Sequence, residues 1–253
     1  MIDLVLAELL KLRSTRTALG LFITILVVTL VPLILLLALL PRDWLEAQGV
    51  AGFLNTASAL VPLILLVFGI LGMTNEYRHG TITYSYLVTP RRWQVMVVKL
   101  VVYAAVGVAT MLVAVVLVWA VIELGGTIRG LEIDATGGAH LGDYALQILV
   151  AGLVTAFGVG LGALFRMQAF TVAGTLIWAL VVENIITVLK PSVGAWLPFV
   201  VFNQVSAVQV ETGDTPSFLS DMLTRPQAFL VSIAYIAAVS VAAVFISLRR
   251  DVT

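Results

Sequence analysis

Uncharged apolar stretches of near-constant length alternate with short polar segments along this chain. They cover residues 19–40, 55–73, 100–122, 144–165, 167–182 and onward, and 226–248. Each approaches the roughly 20 residues that a helix needs to cross a bilayer core. With their flanks, these windows predict six transmembrane helices at 19–40, 53–75, 90–122, 143–165, 167–189 and 226–248. The expected fold class is therefore all-α, a polytopic membrane protein forming a single transmembrane domain over 1–253.

Between the windows the pattern changes character. Residues 1–16 place Ile2, Val5, Leu6, Leu9 and Leu12 at helical spacing opposite Asp3, Glu8, Lys11 and Ser14. That periodicity predicts an amphipathic helix at the membrane surface, or a cytoplasmic extension of the first span with a solvated charged side. The link around 42–52 is short, so the first two spans should form an antiparallel hairpin. Segment 76–89 breaks, restarts and breaks again. Gly80 suits the end of a helix, Thr81 can cap a new one, and Thr89 with Pro90 is a start signal for the third span. The region 190–225 opens on about twenty uncharged residues interrupted by Pro191 and Pro198. An outer re-entrant element fits it better than a seventh span, because an odd span count would place Arg249 and Arg250 outside.

Composition narrows the class. Of 253 residues, 61% are hydrophobic and only 11% charged, far from a soluble domain. Net charge is zero, which gives no reason to expect nucleic acid as a partner. The distribution of that charge is informative. Lys11, Arg13, Arg16, Arg78, Arg91, Arg92, Lys99, Arg166, Arg249 and Arg250 fall on the side of the amino terminus, against Arg42, Arg129, Lys190 and Arg225 on the other. By the positive-inside rule both termini of this multi-pass protein are expected in the cytoplasm. The first window is too long for a signal-peptide core and is read as a retained span.

Candidate chemistry is sparse. The chain has no cysteine, and its two histidines, His79 and His140, lie on opposite sides of the predicted membrane. No metal site, catalytic motif or nucleotide-binding loop is expected, so this chain is not read as an enzyme and binds no cofactor itself. Gly158 and Gly162, in GxxxG spacing, predict close helix packing. Glu183, with Asn184 beside it, is the one ionisable residue well inside a predicted span. It belongs either to a translocation path, with Asn203, or to the outer interface. Tyr84 and Tyr86 give 76–89 an amphipathic surface of the kind found at contacts.

The amphipathic "ELLKLRSTRTA", the segment "GILGMTNEYRHGTITYSYLVTPRRWQVMVVKL", six spans and "WLPF" before the last span together resemble the permease subunits of bacterial, actinobacterial-like ABC type-2 transporters. The similarity covers nearly the full length. It is most specific in an E-x-x-x-G-T…P-R pattern carried by Glu76, Gly80, Thr81, Pro90 and Arg91. The resemblance implies a pair of permease chains, homodimeric or heterodimeric, working in a bacterial cell (inner or plasma) membrane with two copies of a separate ATPase that holds ATP and Mg. It further implies that 80–87 is a coupling helix, with Glu76, Tyr77, Arg78, His79, Gly80, Thr81, Tyr84, Leu87, Pro90, Arg91 and Arg92 facing that ATPase. The implied function is export of a hydrophobic or amphiphilic compound such as a drug, antibiotic, peptide or lipid; sodium extrusion also occurs in the family. Competing readings are an ATP-independent secondary transporter or channel, and a non-transporting membrane partner of an ATPase.

Overall fold

A computed structural model describes residues 2–88, 91–131, 138–206 and 222–249. All regular structure among them is helical. Helix α1 (Ile2–Ser14) leads into α2 (Arg16–Leu39), followed by α3 (Arg42–Ser58), α4 (Val61–Arg78) and the short α5 (Ile82–Val88). Then come α6 (Arg92–Arg129), α7 (Gly138–Phe165) and α8 (Gln168–Ile177), which runs through a π-helical turn at Trp178–Val182 into α9 (Glu183–Leu189). The chain continues through α10 (Pro191–Gly194) and α11 (Pro198–Ser206) to α12 (Arg225–Arg249).

Six of these helical stretches are long and apolar enough to cross a membrane: Arg16–Leu39, Gly52–Arg78, Trp93–Arg129, Leu141–Phe165, Gln168–Leu189 and Arg225–Phe245. The chain is thus a multi-pass membrane protein. Six antiparallel passes gather the ends of α1, α4, α7 and α12 and the start of α6 on one face, here the amino-terminal face.

Several boundaries differ from the sequence expectation, among them the end of α4 at Arg78 and the start of α7 at Gly138, and two have a clear physical reason. The link after the first span is not a plain turn: Pro41 starts α3, and Leu45, Phe53 and Leu54 are buried with Leu33 and Leu37 of α2. That apolar spacing gives the link its own packed helix. The third span extends to Arg129, seven residues beyond the expected end, and closes on Gly130 at φ +65°. Left-handed backbone there lets the Gly130 and Leu131 amides cap the last turn. Thr89 and Pro90, the expected start signal, and 207–221 of the expected re-entrant region lie outside the described residues.

The fourth span is the axis of the bundle, with 67% of its most apolar window buried against 6% for the fifth. It packs on α4, α6, α11 and α12. Small residues permit the α4–α7 contact. A Cβ on Gly158 would strike the Leu66 carbonyl, one on Gly162 would stand 2.7 Å from the Ile70 carbonyl oxygen, and one on Gly69 would meet the Thr155 carbonyl. Gly160 points the other way, toward Val239 of α12. In lipid, where burying apolar surface gains little, such backbone-to-backbone approach is what van der Waals association depends on.

Candidate functional site

On the amino-terminal face, four charged side chains from three separate segments meet. Lys99 Nζ, on α6, donates to Glu8 Oε2 of α1 at 2.7 Å and to Glu76 Oε1 of α4 at 2.8 Å. Lys11 Nζ, one turn beyond Glu8 on α1, donates to Glu8 Oε1 at 2.7 Å and to Glu76 Oε1 at 2.8 Å. Two lysines thus alternate with two glutamates. Lys99 is fully buried, and Glu8 and Glu76 nearly so. Tyr103, one turn along α6, closes the cluster, its ring centroid 5.9 Å from Lys99 Nζ. Charges at such depth persist only when paired, and this pairing joins α1 to spans two and three.

The leucine face of α1 is open, as the amphipathic pattern expects, with Leu6, Leu9 and Leu10 exposed; Glu8, read from the sequence as part of the opposite polar side, instead points into the protein. The reason is the partners: Lys99 of α6 gives Glu8 a buried counter-charge, and Glu76 of α4 gives Lys11 another. The Glu8 carboxyl feels this directly: desolvation pushes its pKa up, but the Lys99 charge and hydrogen bonds from Lys11 and Lys99 outweigh burial and hold it below the usual carboxylate value. Lys11 is also opposed by desolvation, and hydrogen bonds to Glu76 and Glu8 raise its pKa above the ordinary lysine value.

Next to this cluster α4 ends. His79 and Gly80 return their amides to Asn75 and Tyr77, and Gly80 takes φ +66°, a conformation that a side chain would strain. Thr81 Oγ1 turns back toward the Glu76 carbonyl at 3.5 Å, closing α4. Helix α5 then hangs by Ile82, which is buried in a cluster with Met73, Met96 and Tyr103. Tyr84 and Leu87 face away, each more than 70% exposed. Arg78, His79 and Arg91 are exposed as well, whereas Tyr77 is half-buried beneath the Arg166 guanidinium. Among the residues assigned to a partner-facing set, Glu76 is therefore turned inward, and Pro90 lies outside the described residues. Arg92 begins α6. Sequence reasoning missed Glu8, Lys11 and Lys99 as parts of one constellation.

The second candidate region lies toward the opposite face. Glu183 is buried, and its carboxylate accepts hydrogen bonds from Trp178 Nε1 at 2.7 Å and from the backbone amides of Phe199 at 3.0 Å and Val200 at 3.0 Å. Those amides belong to the first turn of α11, whose N–H groups have no partner inside the helix, so the acid caps it. Asn184 points elsewhere. It is exposed, and its amide donates to the Ala179 and Leu180 carbonyls of the π-helical turn. Asn203 lines a separate cavity of about 230 Å³ with Asn55, Gln147 and Ser206. The three residues grouped as a path are thus not brought together. Glu183 pins "WLPF" to the fifth span, and Tyr235 of α12 holds the same segment by donating to the Trp196 carbonyl at 2.7 Å.

Among the described residues no group of three or more His, Cys, Asp or Glu side chains is arranged to hold a metal. Searches of protein-family models and of curated proteins find no match to this chain.

Proposed function

We propose that this chain is the membrane-spanning permease subunit of an ATP-driven exporter, resembling the ABC type-2 permeases. It would work as a pair of permease chains with two copies of a separate ATPase carrying ATP and Mg, in a bacterial cell membrane with both termini cytoplasmic. The observation that carries this reading is α5. A seven-residue helix is suspended between spans two and three, anchored by Ile82, and presents Tyr84 and Leu87 outward. Exposed aromatic and aliphatic side chains on a short cytoplasmic helix suit a protein partner, since such anchors dominate interface energetics.

Beside α5, the Glu8–Lys11–Glu76–Lys99 cluster supports force transmission. A push on α5 reaches Glu76 through the turn at Gly80, and from there α1 and α6 through paired charges rather than through pliable loops. Helices α1, α4 and α6 would then move together as the ATPase dimer closes, reorienting the path between two permeases toward the outside. The apolar composition of the spans favours a hydrophobic or amphiphilic cargo. The outer element 190–225, held by Glu183 and Tyr235, would re-enter the membrane from the far side. An ATP-independent carrier is less well supported, because Glu183 is occupied by structural hydrogen bonds.

Co-purification with an ATPase subunit, followed by ATP turnover in reconstituted membranes, tests the reading. Leu87→Asp and Tyr84→Ala, at exposed positions that leave the fold alone, are expected to weaken ATPase association by about tenfold or more, the factor corresponding to roughly 1.4 kcal/mol. Unchanged association and turnover in both variants would remove α5 from the interface and this reading with it.

A further inference from the structure

Between α4 and α8 an open groove of about 980 Å³ runs from the amino-terminal face along the spans. Its walls are apolar, formed by Val67 and Leu71 on one side and Val172, Ala173 and Leu176 on the other. Its mouth holds two guanidinium groups, Arg78 and Arg166, with Gln168 between them. Arg78 Nη1 donates to Gln168 Oε1 at 3.1 Å, using one of its five N–H donors. No carboxylate lines the groove, and neither arginine has an acidic partner among the described residues.

Arg166 is held there against local preference. Among the described residues it is the one non-glycine residue with positive φ, at +61°, in the two-residue turn between spans four and five. Such backbone is strained for an L-residue with an ordinary side chain. Its guanidinium carbon lies over the Tyr77 ring, 5.1 Å from the centroid, and its Nε is out of solvent with no hydrogen-bond partner. An unpartnered buried donor, a second cation across the mouth and an apolar channel leading away describe the two ends of one amphiphile.

We propose that this groove binds an anionic phospholipid, with its phosphate between Arg78 and Arg166 and an acyl chain along Val67, Leu71, Val172 and Leu176. Guanidinium forks match phosphate oxygens, and basic pockets between membrane helices on the cytoplasmic side suit such headgroups. The inner-leaflet placement rests on the orientation proposed above. The site itself needs no ATPase, so the two ideas fail separately.

Native mass spectrometry of the purified full chain in detergent tests it, with phosphatidylglycerol, phosphatidylcholine and inorganic phosphate as probes. Wild type is expected to retain phosphatidylglycerol over phosphatidylcholine. Each of Arg166→Gln and Arg78→Gln should weaken retention about fivefold, the factor given by roughly 1 kcal/mol per basic residue at an anionic surface. Arg166→Lys should keep most of it. Ala173→Trp, on the exposed wall, fills the acyl channel without touching the cations and should abolish lipid retention even if the arginine variants fold poorly. Equal retention by wild type and Ala173→Trp, or by wild type and a folded Arg166→Gln, overturns the proposal. Displacement of the lipid by equimolar inorganic phosphate overturns it too, since the site would then be a free-anion site.

Discussion

Lys99 illustrates how a residue's chemistry depends on what surrounds it. As a letter it marks the positive side of a membrane; in the fold it is wholly buried and donates to two carboxylates from α1 and α4. Removing one member of a buried ion cluster strands its partners, so Lys99→Met is expected to lower stability by about 3–5 kcal/mol, read as a fall in thermal midpoint in detergent. Replacing Glu8 and Lys99 together by Gln and Met should cost less than the sum of the single changes. The pH response has a definite sign. The native pKa of Glu8 lies below its ordinary 4.5, so its contribution is present above that value and is lost as pH falls through the lowered native pKa. The pKa of Lys11 is raised above 10.5, so its contribution is complete below that value and is lost as pH rises through the higher native pKa. Protease access to α1 should therefore be flat across neutral pH and increase at both extremes, with the acid limb absent in Glu8→Gln. Glu183 belongs to the same lesson. Both oxygens of its carboxylate accept hydrogen bonds, so Glu183→Gln, whose NH2 group must face either the Trp178 N–H or the Phe199 and Val200 amides, should weaken the cap on α11 and lower the thermal midpoint.

Among the helices, glycine placement separates contact from exposure. Gly162 faces the Ile70 carbonyl across the α4–α7 crossing, whereas a Cβ added to Gly174 on α8 would meet nothing within 4 Å. Gly162→Ala should therefore destabilise, by about 1–3 kcal/mol if the helices must part, whereas Gly174→Ala should be neutral or gain up to about 1 kcal/mol. Paired denaturation curves distinguish them. The six spans were legible because an uncharged run near 20 residues long has few alternatives. The helical start of α3 in the 42–52 link was not, since Leu45 and Val50 read as scattered apolar letters until neighbouring helices give them a surface. The grouping of Glu183 with Asn184 fails on helix geometry alone. Adjacent residues point about 100° apart, so one caps α11 while the other faces outward.

For the molecule as a whole, orientation is open to a direct check. The chain has no cysteine, so single cysteines report cleanly. A cysteine at Trp196, an exposed position on the face opposite the amino terminus, should react with an impermeant maleimide in intact cells, and one at Tyr84 should react only after permeabilisation. The reverse pattern would refute the cytoplasmic placement of α5. Hydropathy and charge along the chain were enough to specify a six-pass helical membrane protein and to single out 76–92 as unusual, because span length and helix punctuation are local properties. They could not show that Glu8 and Lys99, 91 positions apart, share a hydrogen bond, that Glu8 on the polar side of α1 turns into the protein, or that Arg78 and Arg166 flank one groove. Those facts arise where helices remote in sequence are packed together, and the low dielectric between them forces buried charges to find partners that no local pattern reveals.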